Sequence, residues 1–159
     1  MKKYNILFLC THNSSRSVLG EALASTHYSG IFTGYSAGSA PGAAVNPIAA
    51  ELTKELGYDQ SKLRSKNWDE YALPDAPKMD FIITVCDEAA GEACPYWPGQ
   101  PITAHWGFPD PSQVKGTEAE KRHAFTEVLY GLKKRIDLLA QMPLDKLDSM
   151  TLKDIHTQK

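Results

Sequence analysis

"YNILFLCTHNSSRSVLGEALAS", residues 4–25, joins an apolar run, a short polar loop and an amphipathic segment, and this stretch decides the fold. The run over residues 4–10 is nearly continuous in apolar character, which is typical of a strand buried on both faces of a sheet. The apolar residues after the loop recur at helical spacing: Val18, Leu19, Ala22 and Leu23. The stretch therefore predicts a strand, a tight loop and a helix.

The next segments repeat this alternation of strand and helix. Residues 32–39, "FTGYSAGS", have the pattern of a short strand that ends at Gly38. A helix is predicted to follow, with Asn46 as its N-cap, Pro47 at its first position and Gly57 at its end. The order strand, helix, strand, helix predicts a parallel α/β sheet.

Three more segments complete the predicted fold. Buried strands are expected at residues 79–86, "MDFIITVC", and at residues 101–108, "PITAHWGF". A long amphipathic helix is expected over residues 117–141, with a capping box formed by Thr117 and Glu120.

Length and charge limit the classes of function. A chain of 159 residues fits one domain, which we place at residues 1–141, with residues 142–159 as an extension that is a short helix or flexible. The 17 basic and 19 acidic residues are mixed along the chain, so the basic stripe that nucleic acid requires is absent from the sequence. No apolar run approaches the roughly 20 residues of a membrane span. We expect a cytoplasmic protein whose partners include neither nucleic acid nor a membrane.

Cys10 ends the first predicted strand, at the edge where open parallel sheets bind ligands. The loop after it is made of small or hydrogen-bonding residues and leads into a helix, so its backbone N–H groups can converge on one anion. Arg16 adds a fork for two oxygens of a phosphate-shaped group, and the positive surroundings favour the thiolate of Cys10. For a lone cysteine, simple packing at a strand end is the alternative. The predicted oxyanion-binding residues are Thr11, His12, Asn13, Ser14, Ser15, Arg16 and Ser17.

A thiol nucleophile still needs a proton donor for the leaving oxygen. Asp110 lies in the proline-flanked stretch "HWGFPDPS", residues 105–112, directly after the fourth predicted strand. An aspartate next to proline is commonly a turn residue, but its combination with Cys10 favours a general acid. We therefore include Asp110 in the predicted site.

These residues resemble the low-molecular-weight tyrosine phosphatases, and more closely the arsenate reductases that share their fold. The loop from Cys10 to Arg16, "YSAGS", "TVCDEAAGEACPYWPG" and "AHWGFPDP" carry the resemblance, which extends over about residues 4–140. It implies a four-stranded parallel sheet with helices on both faces, and Asp110 as the general acid. Ser112 and Gln113 stand where a tyrosine pair commonly follows this aspartate in the phosphatases, which weakens a phosphotyrosine interpretation.

The resemblance gives a role to each of the three cysteines. Cys86 ends its predicted strand at the same sheet edge as Cys10, and Cys94 follows after seven residues that include Gly91. We expect Cys10 to attack arsenate, Cys86 to attack Cys10 and release arsenite, and Cys94 to take over the disulfide. A phosphatase would need Cys10 alone.

The relay needs no bound cofactor but an external thiol reductant. The resemblance implies thioredoxin as the reductant. Glutaredoxin with glutathione stays open as the alternative, because the seven residues between Cys86 and Cys94 are one more than the best-known reductases have. Two other functions are also open: a phosphotyrosine or small-phosphate phosphatase, and a non-catalytic oxyanion-binding or redox-sensing domain in which Cys10 is a switch.

Some of the reductases that the chain resembles carry a potassium site. The resemblance puts three of its ligands at Asn13, Glu21 and Ser36, and a fourth, an aspartate, near the position of Lys66. We expect the ammonium of Lys66 to lie beside Glu21 in place of the ion. No metal ion is therefore predicted.

Overall fold

Four parallel strands form the sheet of this protein in the computed structural model, which describes residues 3–42, 44–85 and 101–143. The strand order is β2-β1-β3-β4, and each neighbouring pair is parallel. The strands are β1 Tyr4–Leu9, β2 Phe32–Ala37, β3 Phe81–Thr84 and β4 Ile102–His105.

Within the described residues, three α-helices and three short 3-10 helices lie between and after the strands. The α-helices are α1 Arg16–Thr26, α2 Pro47–Glu55 and α3 Glu118–Ala140. The 3-10 helices are Gln60–Lys62, Trp68–Tyr71 and Pro111–Gln113.

Local capping signals fix the helix ends as the sequence predicts. The side chain of Asn46 accepts hydrogen bonds from the first turn of α2, and Gly57 has a φ of 86° just after that helix. Thr117 and Glu120 form the predicted capping box at the start of α3. The strands β3 and β4 are shorter than predicted, although Val85 and Trp106 still donate backbone hydrogen bonds to the neighbouring strands.

Successive residues of β1 face opposite sides of the sheet, and each side has its own core. Ile6 and Phe8 pack with residues of α1, α2 and α3. Leu7 and Leu9 pack against Trp68 and other residues on the opposite side, where a 3-10 helix covers the sheet. The predicted four-stranded parallel α/β fold, with helical segments on both faces, is confirmed.

The register brings the carboxyl ends of the strands to one level. Leu9 is paired with Ala37 and with Thr84, and Thr84 is paired with His105. Cys10 therefore emerges in the middle of this edge, next to the segment that follows β2. Two predictions, the strand-end position of Cys86 and the extension at residues 142–159, fall wholly or mostly outside the described residues.

Candidate active site

A cavity of about 290 Å³ opens at the carboxyl edge of the sheet. The loop after β1 forms its floor and the segment before α3 forms its wall. Its lining residues are Cys10, Thr11, His12, Ser14, Ser15, Arg16, Asp110, Ser112 and Gln113.

The backbone carbonyls of the loop between β1 and α1 point away from this cavity, because groups around the loop donate to them. Hydrogen bonds of 2.8–3.0 Å reach the carbonyl oxygens of residues 11–15 in turn, from the Ala40 N–H, the Gly42 N–H, the Ser65 hydroxyl, the Asn46 N–H and the Leu19 N–H. The described residues contain no cis peptide bond, and in a trans peptide the C=O and the next N–H point in opposite directions. The N–H groups of residues 12–16 are therefore directed inward, as an anion-binding loop requires.

Asn13 makes this loop conformation possible. Its φ of 49° is in the left-handed region, which asparagine tolerates better than most residues. Its side-chain oxygen accepts the backbone N–H of Lys66 at 2.9 Å, and its side-chain nitrogen donates to the Ser17 hydroxyl at 2.8 Å. Asn13 therefore braces the loop from behind and leaves the Ser17 hydrogen for another acceptor.

Gly38 lets the segment after β2 lie directly against the loop. A Cβ at this position would come within 2.4 Å of the carbonyl oxygens of Cys10 and Thr11. The N–H of Gly38 donates to the Lys66 carbonyl, and its carbonyl accepts from Trp68. This close contact gives the glycine of "YSAGS" a structural reason.

Cys10 lies at the base of the cavity. It carries no disulfide, and its exposed fraction is 4%. Its backbone N–H donates to the carbonyl of Ala37, which continues the pairing of β1 and β2 by one residue. The thiol is therefore held beside the inward N–H groups of the loop.

Arg16 is buried at the start of α1, and its guanidinium reaches across to the segment before α3. Nη1 donates to the Phe108 carbonyl at 2.9 Å, and Nη2 lies 3.6 Å from Oδ2 of Asp110. Within the described part of the chain, the buried Nε of Arg16 and the hydroxyl of Ser15 have no hydrogen-bond partner. These polar atoms remain available to an anion in the cavity.

Asp110 forms the opposite wall and caps a 3-10 helix. Its Oδ1 accepts hydrogen bonds from the backbone N–H and the hydroxyl of Ser112, at 2.9 and 2.7 Å. Burial acts to raise the pKa of Asp110, but the hydrogen bonds from Ser112 and the charge of Arg16 outweigh it, so the pKa is lowered. The carboxyl group is therefore ionised when the cavity holds no anion.

His12 lies on the exposed rim of the cavity. Its Nδ1 is 3.1 Å from the carbonyl oxygen of Ala40. A carbonyl only accepts hydrogen bonds, so this contact fixes the ring proton on Nδ1 and leaves Nε2 toward solvent or a ligand.

A buried cluster around Lys66 and Glu21 supports the loop on its other side. The ammonium of Lys66 lies 3.4–3.5 Å from oxygens of Asn13, Glu21 and Ser36, and 3.0 Å from the Arg64 carbonyl. Tyr58 donates a further hydrogen bond to Glu21. Burial, followed by the charge of Glu21, raises the pKa of Tyr58, so its hydroxyl remains a donor.

The oxygens expected to bind potassium surround the ammonium of Lys66 instead. The oxygens of Asn13, Glu21 and Ser36 do converge, but the ammonium of Lys66 lies in their midst. A potassium ion does not fit there without displacing it. Over residues 3–42, 44–85 and 101–143, no group of three His, Cys, Asp or Glu side chains could hold a metal ion.

Some contacts of the site cannot be predicted from residue type. Phe108 contributes a carbonyl, and a carbonyl is common to every residue. Tyr58 reaches Glu21 from 37 positions away. Cys86 and Cys94, the predicted relay cysteines, lie outside the described residues.

Residues 5–149 match the family described as low molecular weight phosphotyrosine protein phosphatase. The chain belongs to this family. It is 39% identical over 142 residues to the arsenate reductase of Halalkalibacterium halodurans, an alignment that covers 89% of this chain and 98% of that protein.

Solved structures of arsenate reductases have the same fold. One, described as being in the phosphate binding state, superimposes with a TM-score of 0.63 at 26% identity, covering 86% of this chain and 96% of that one. The thioredoxin-dependent arsenate reductase of Corynebacterium glutamicum gives a TM-score of 0.53 at 27% identity, covering 86% of this chain and 63% of that one. None of the helices described in this family member is long and apolar enough to cross a membrane.

Proposed function

We propose that this protein reduces arsenate to arsenite with thiols. The observation that carries the proposal is the 39% identity to an arsenate reductase over 98% of that protein's length. The described cavity suits such a substrate, because inward N–H groups, a buried guanidinium and a thiol surround a space that can take one tetrahedral anion.

The first step is attack on bound arsenate by the thiolate of Cys10. A sulfur–arsenic bond forms and one arsenate oxygen leaves as water, so a proton must reach that oxygen. Asp110 is ionised beside Arg16 when the cavity is empty. An arriving oxyanion competes for Arg16 and adds negative charge, and both effects raise the pKa of Asp110 so that it takes up and delivers this proton.

Electron transfer follows when the thiolate of Cys86 attacks the sulfur of Cys10. A disulfide forms, the sulfur–arsenic bond breaks with its electron pair on arsenic, and arsenite leaves. The thiolate of Cys94 then attacks Cys86, which restores Cys10 and moves the disulfide to Cys86 and Cys94. Two thiols thus supply the two electrons that arsenate accepts.

An external dithiol returns the enzyme to its reduced state. Thioredoxin is the first candidate, because the structural relative from Corynebacterium glutamicum is thioredoxin-dependent. Glutaredoxin with glutathione is the second. The cytoplasm, where thiols are kept reduced, is the compartment that this chemistry needs.

The test is arsenite production in the presence of thioredoxin, thioredoxin reductase and NADPH, with glutaredoxin and glutathione as a second arm. We expect turnover by the wild type and none by Cys10→Ser, Cys86→Ser or Cys94→Ser. In a single turnover without reductant, Cys94→Ser should still release one arsenite for each enzyme, because only the last exchange is blocked.

Hydrolysis of a phosphate ester by the same variants gives the alternative outcome. Failure to make arsenite with either reductant, together with ester hydrolysis that survives Cys86→Ser and Cys94→Ser, would make the protein a phosphatase. Oxidation of Cys10 without any turnover would instead indicate a redox sensor.

A further inference from the structure

Arg135 is a buried cation in the middle of α3. Its exposed fraction is 8%, and its guanidinium carbon lies 4.6 Å from the centre of the Phe108 ring. Among the residues that the structure describes, its buried Nη1 has no hydrogen-bond partner. Burial lowers the pKa of Arg135, and none of the carboxylates in the described residues opposes that effect.

A buried charge without an opposite charge beside it destabilises the folded state, because nothing offsets the free energy lost when the charge is removed from water. Guanidinium groups stay charged even so. The contacts of the side chain must therefore account for the buried position of Arg135. The guanidinium lies over the aromatic face of Phe108.

Phe108 connects Arg135 with the oxyanion site. Its backbone carbonyl is the acceptor for Nη1 of Arg16 at 2.9 Å. Its ring also packs on Gly131, where an added Cβ would come within 2.6 Å of the ring. Gly131 and Arg135 are four residues apart on one face of α3, so together they hold this ring.

We propose that Arg135 is a positioning residue of the oxyanion site: it fixes the Phe108 ring, and thereby the carbonyl that holds Arg16, and its positive charge adds to the potential in the cavity. This deepens the proposed function and rests on it only in requiring that the cavity binds an oxyanion. Arg135 touches no reacting atom in this scheme.

The test compares Arg135→Met and Arg135→Lys with Lys134→Met, which removes the same charge from an exposed position of the same helix. Inorganic phosphate is the probe, and its Kd is measured by calorimetry at fixed ionic strength. We expect Arg135→Met to weaken phosphate binding about tenfold, because Arg16 would lose its fixed position and with it one well-placed charged contact to the anion. Arg135→Lys should restore part of the affinity, because an ammonium keeps the charge and contacts the ring. Lys134→Met should bind phosphate as the wild type does.

A second measurement separates positioning from simple packing. In a chain carrying Cys86→Ser and Cys94→Ser, the rate of Cys10 alkylation by iodoacetamide is followed against pH. Arg135→Met should move this profile to higher pH, while the Tm stays equal or rises because an unpaired buried charge has been removed. His12, Arg16 and Asp110, the other titratable or charged groups lining the cavity, are unchanged in every variant.

Unchanged phosphate affinity and an unchanged alkylation profile in folded Arg135→Met would overturn the proposal. If that variant does not fold, Arg135→Lys and Phe108→Leu decide, and wild-type phosphate affinity in both would overturn it as well. Neither measurement uses arsenate or a reductant, so failure of arsenate reduction with normal phosphate binding would count against the proposed function alone.

Discussion

The ammonium of Lys66 lies 3.4 Å from Oε1 of Glu21, and the exposed fractions of the two side chains are only 4% and 5%. The same ammonium reaches Asn13, whose left-handed backbone shapes the loop between β1 and α1. A single buried cation thus neutralises Glu21 and connects it with the loop around Cys10. The cation is covalently attached, so we expect the loop not to depend on an ion from solution.

Potassium independence is the first consequence. We expect the free energy of unfolding of the wild type to be the same in potassium chloride and in choline chloride at equal ionic strength. Lys66→Ser should lose about 3 kcal/mol in choline chloride, because it leaves the buried carboxylate of Glu21 unpaired. Potassium should restore part of this loss, since oxygens of Asn13, Glu21, Ser36 and Arg64 would then surround a site large enough for the ion. Urea unfolding measures each value.

Lys62→Ser is the matched control, because Lys62 is exposed and its loss should change stability by less than about 0.5 kcal/mol in either salt. A wild type that is more stable in potassium chloride than in choline chloride would contradict the built-in role of Lys66.

Substitutions of Asn13 separate backbone conformation from side-chain bracing. Alanine and glycine both remove the hydrogen bonds to Lys66 and Ser17, and both should weaken phosphate binding. Only alanine is also strained at a φ of 49°, because its Cβ disfavours the left-handed region. Asn13→Ala should therefore be less stable than Asn13→Gly by about 1 kcal/mol. Equal stability of the two variants, measured by urea unfolding, would mean that the loop relaxes out of the left-handed conformation.

The fold and the centre of the site follow from local sequence signals. The buried strand of residues 4–9 and the caps at Asn46 and Thr117 depend on residues close in sequence, so periodicity and capping rules find them. The contact between Arg16 and the Phe108 carbonyl joins residues 92 positions apart. Nothing in the identity of Phe108 marks its carbonyl as an acceptor, so this contact emerges only when the chain is folded.

Long-range contacts between side chains are harder to predict from the sequence than helix caps, but easier than contacts to a backbone carbonyl. The approach of Lys66 to Glu21, 45 positions apart, was expected only because a resemblance suggested where a cation should lie. No sequence signal predicted the burial of Arg135, since an arginine within a long amphipathic helix is usually exposed to solvent. Its burial against Phe108 depends on Gly131, which leaves room for the ring.

Gly38→Ala tests the close packing behind Cys10. The new Cβ would lie 2.4 Å from two loop carbonyl oxygens, so either the loop or the segment after β2 must move. We expect a loss of about 1–3 kcal/mol in stability, the usual cost of overpacking, and weaker phosphate binding as the inward N–H groups are displaced. Gly30→Ala is the control, because a Cβ there has nothing within 4 Å. Equal phosphate affinity in the two variants would show that the loop tolerates the displacement.

The ion pair of Asp110 with Arg16 gives a pH dependence whose sign can be worked out. The folded-state pKa of Asp110 is lowered, so the ionised carboxyl stabilises the fold above its unfolded-state pKa of about 4. That contribution is lost as the pH falls through the lower, folded-state value. Asp110→Asn keeps an oxygen for the Ser112 hydrogen bonds but has no charge for Arg16.

At pH 7 the wild type should therefore be more stable than Asp110→Asn by about 0.2–1 kcal/mol, a small value because 27% of the Asp110 side chain is exposed. The difference should shrink as urea unfolding is repeated at pH values progressively below the unfolded-state pKa of about 4, as the wild-type carboxyl takes up a proton. Bound phosphate should raise the folded-state pKa of Asp110, whereas Arg16 and Ser112 lower it, because a second negative charge disfavours the ionised carboxyl. With saturating phosphate, the difference in stability between the wild type and Asp110→Asn should therefore begin to shrink at a higher pH. A stability difference that does not depend on pH would show that the Asp110 carboxylate and Arg16 are not coupled.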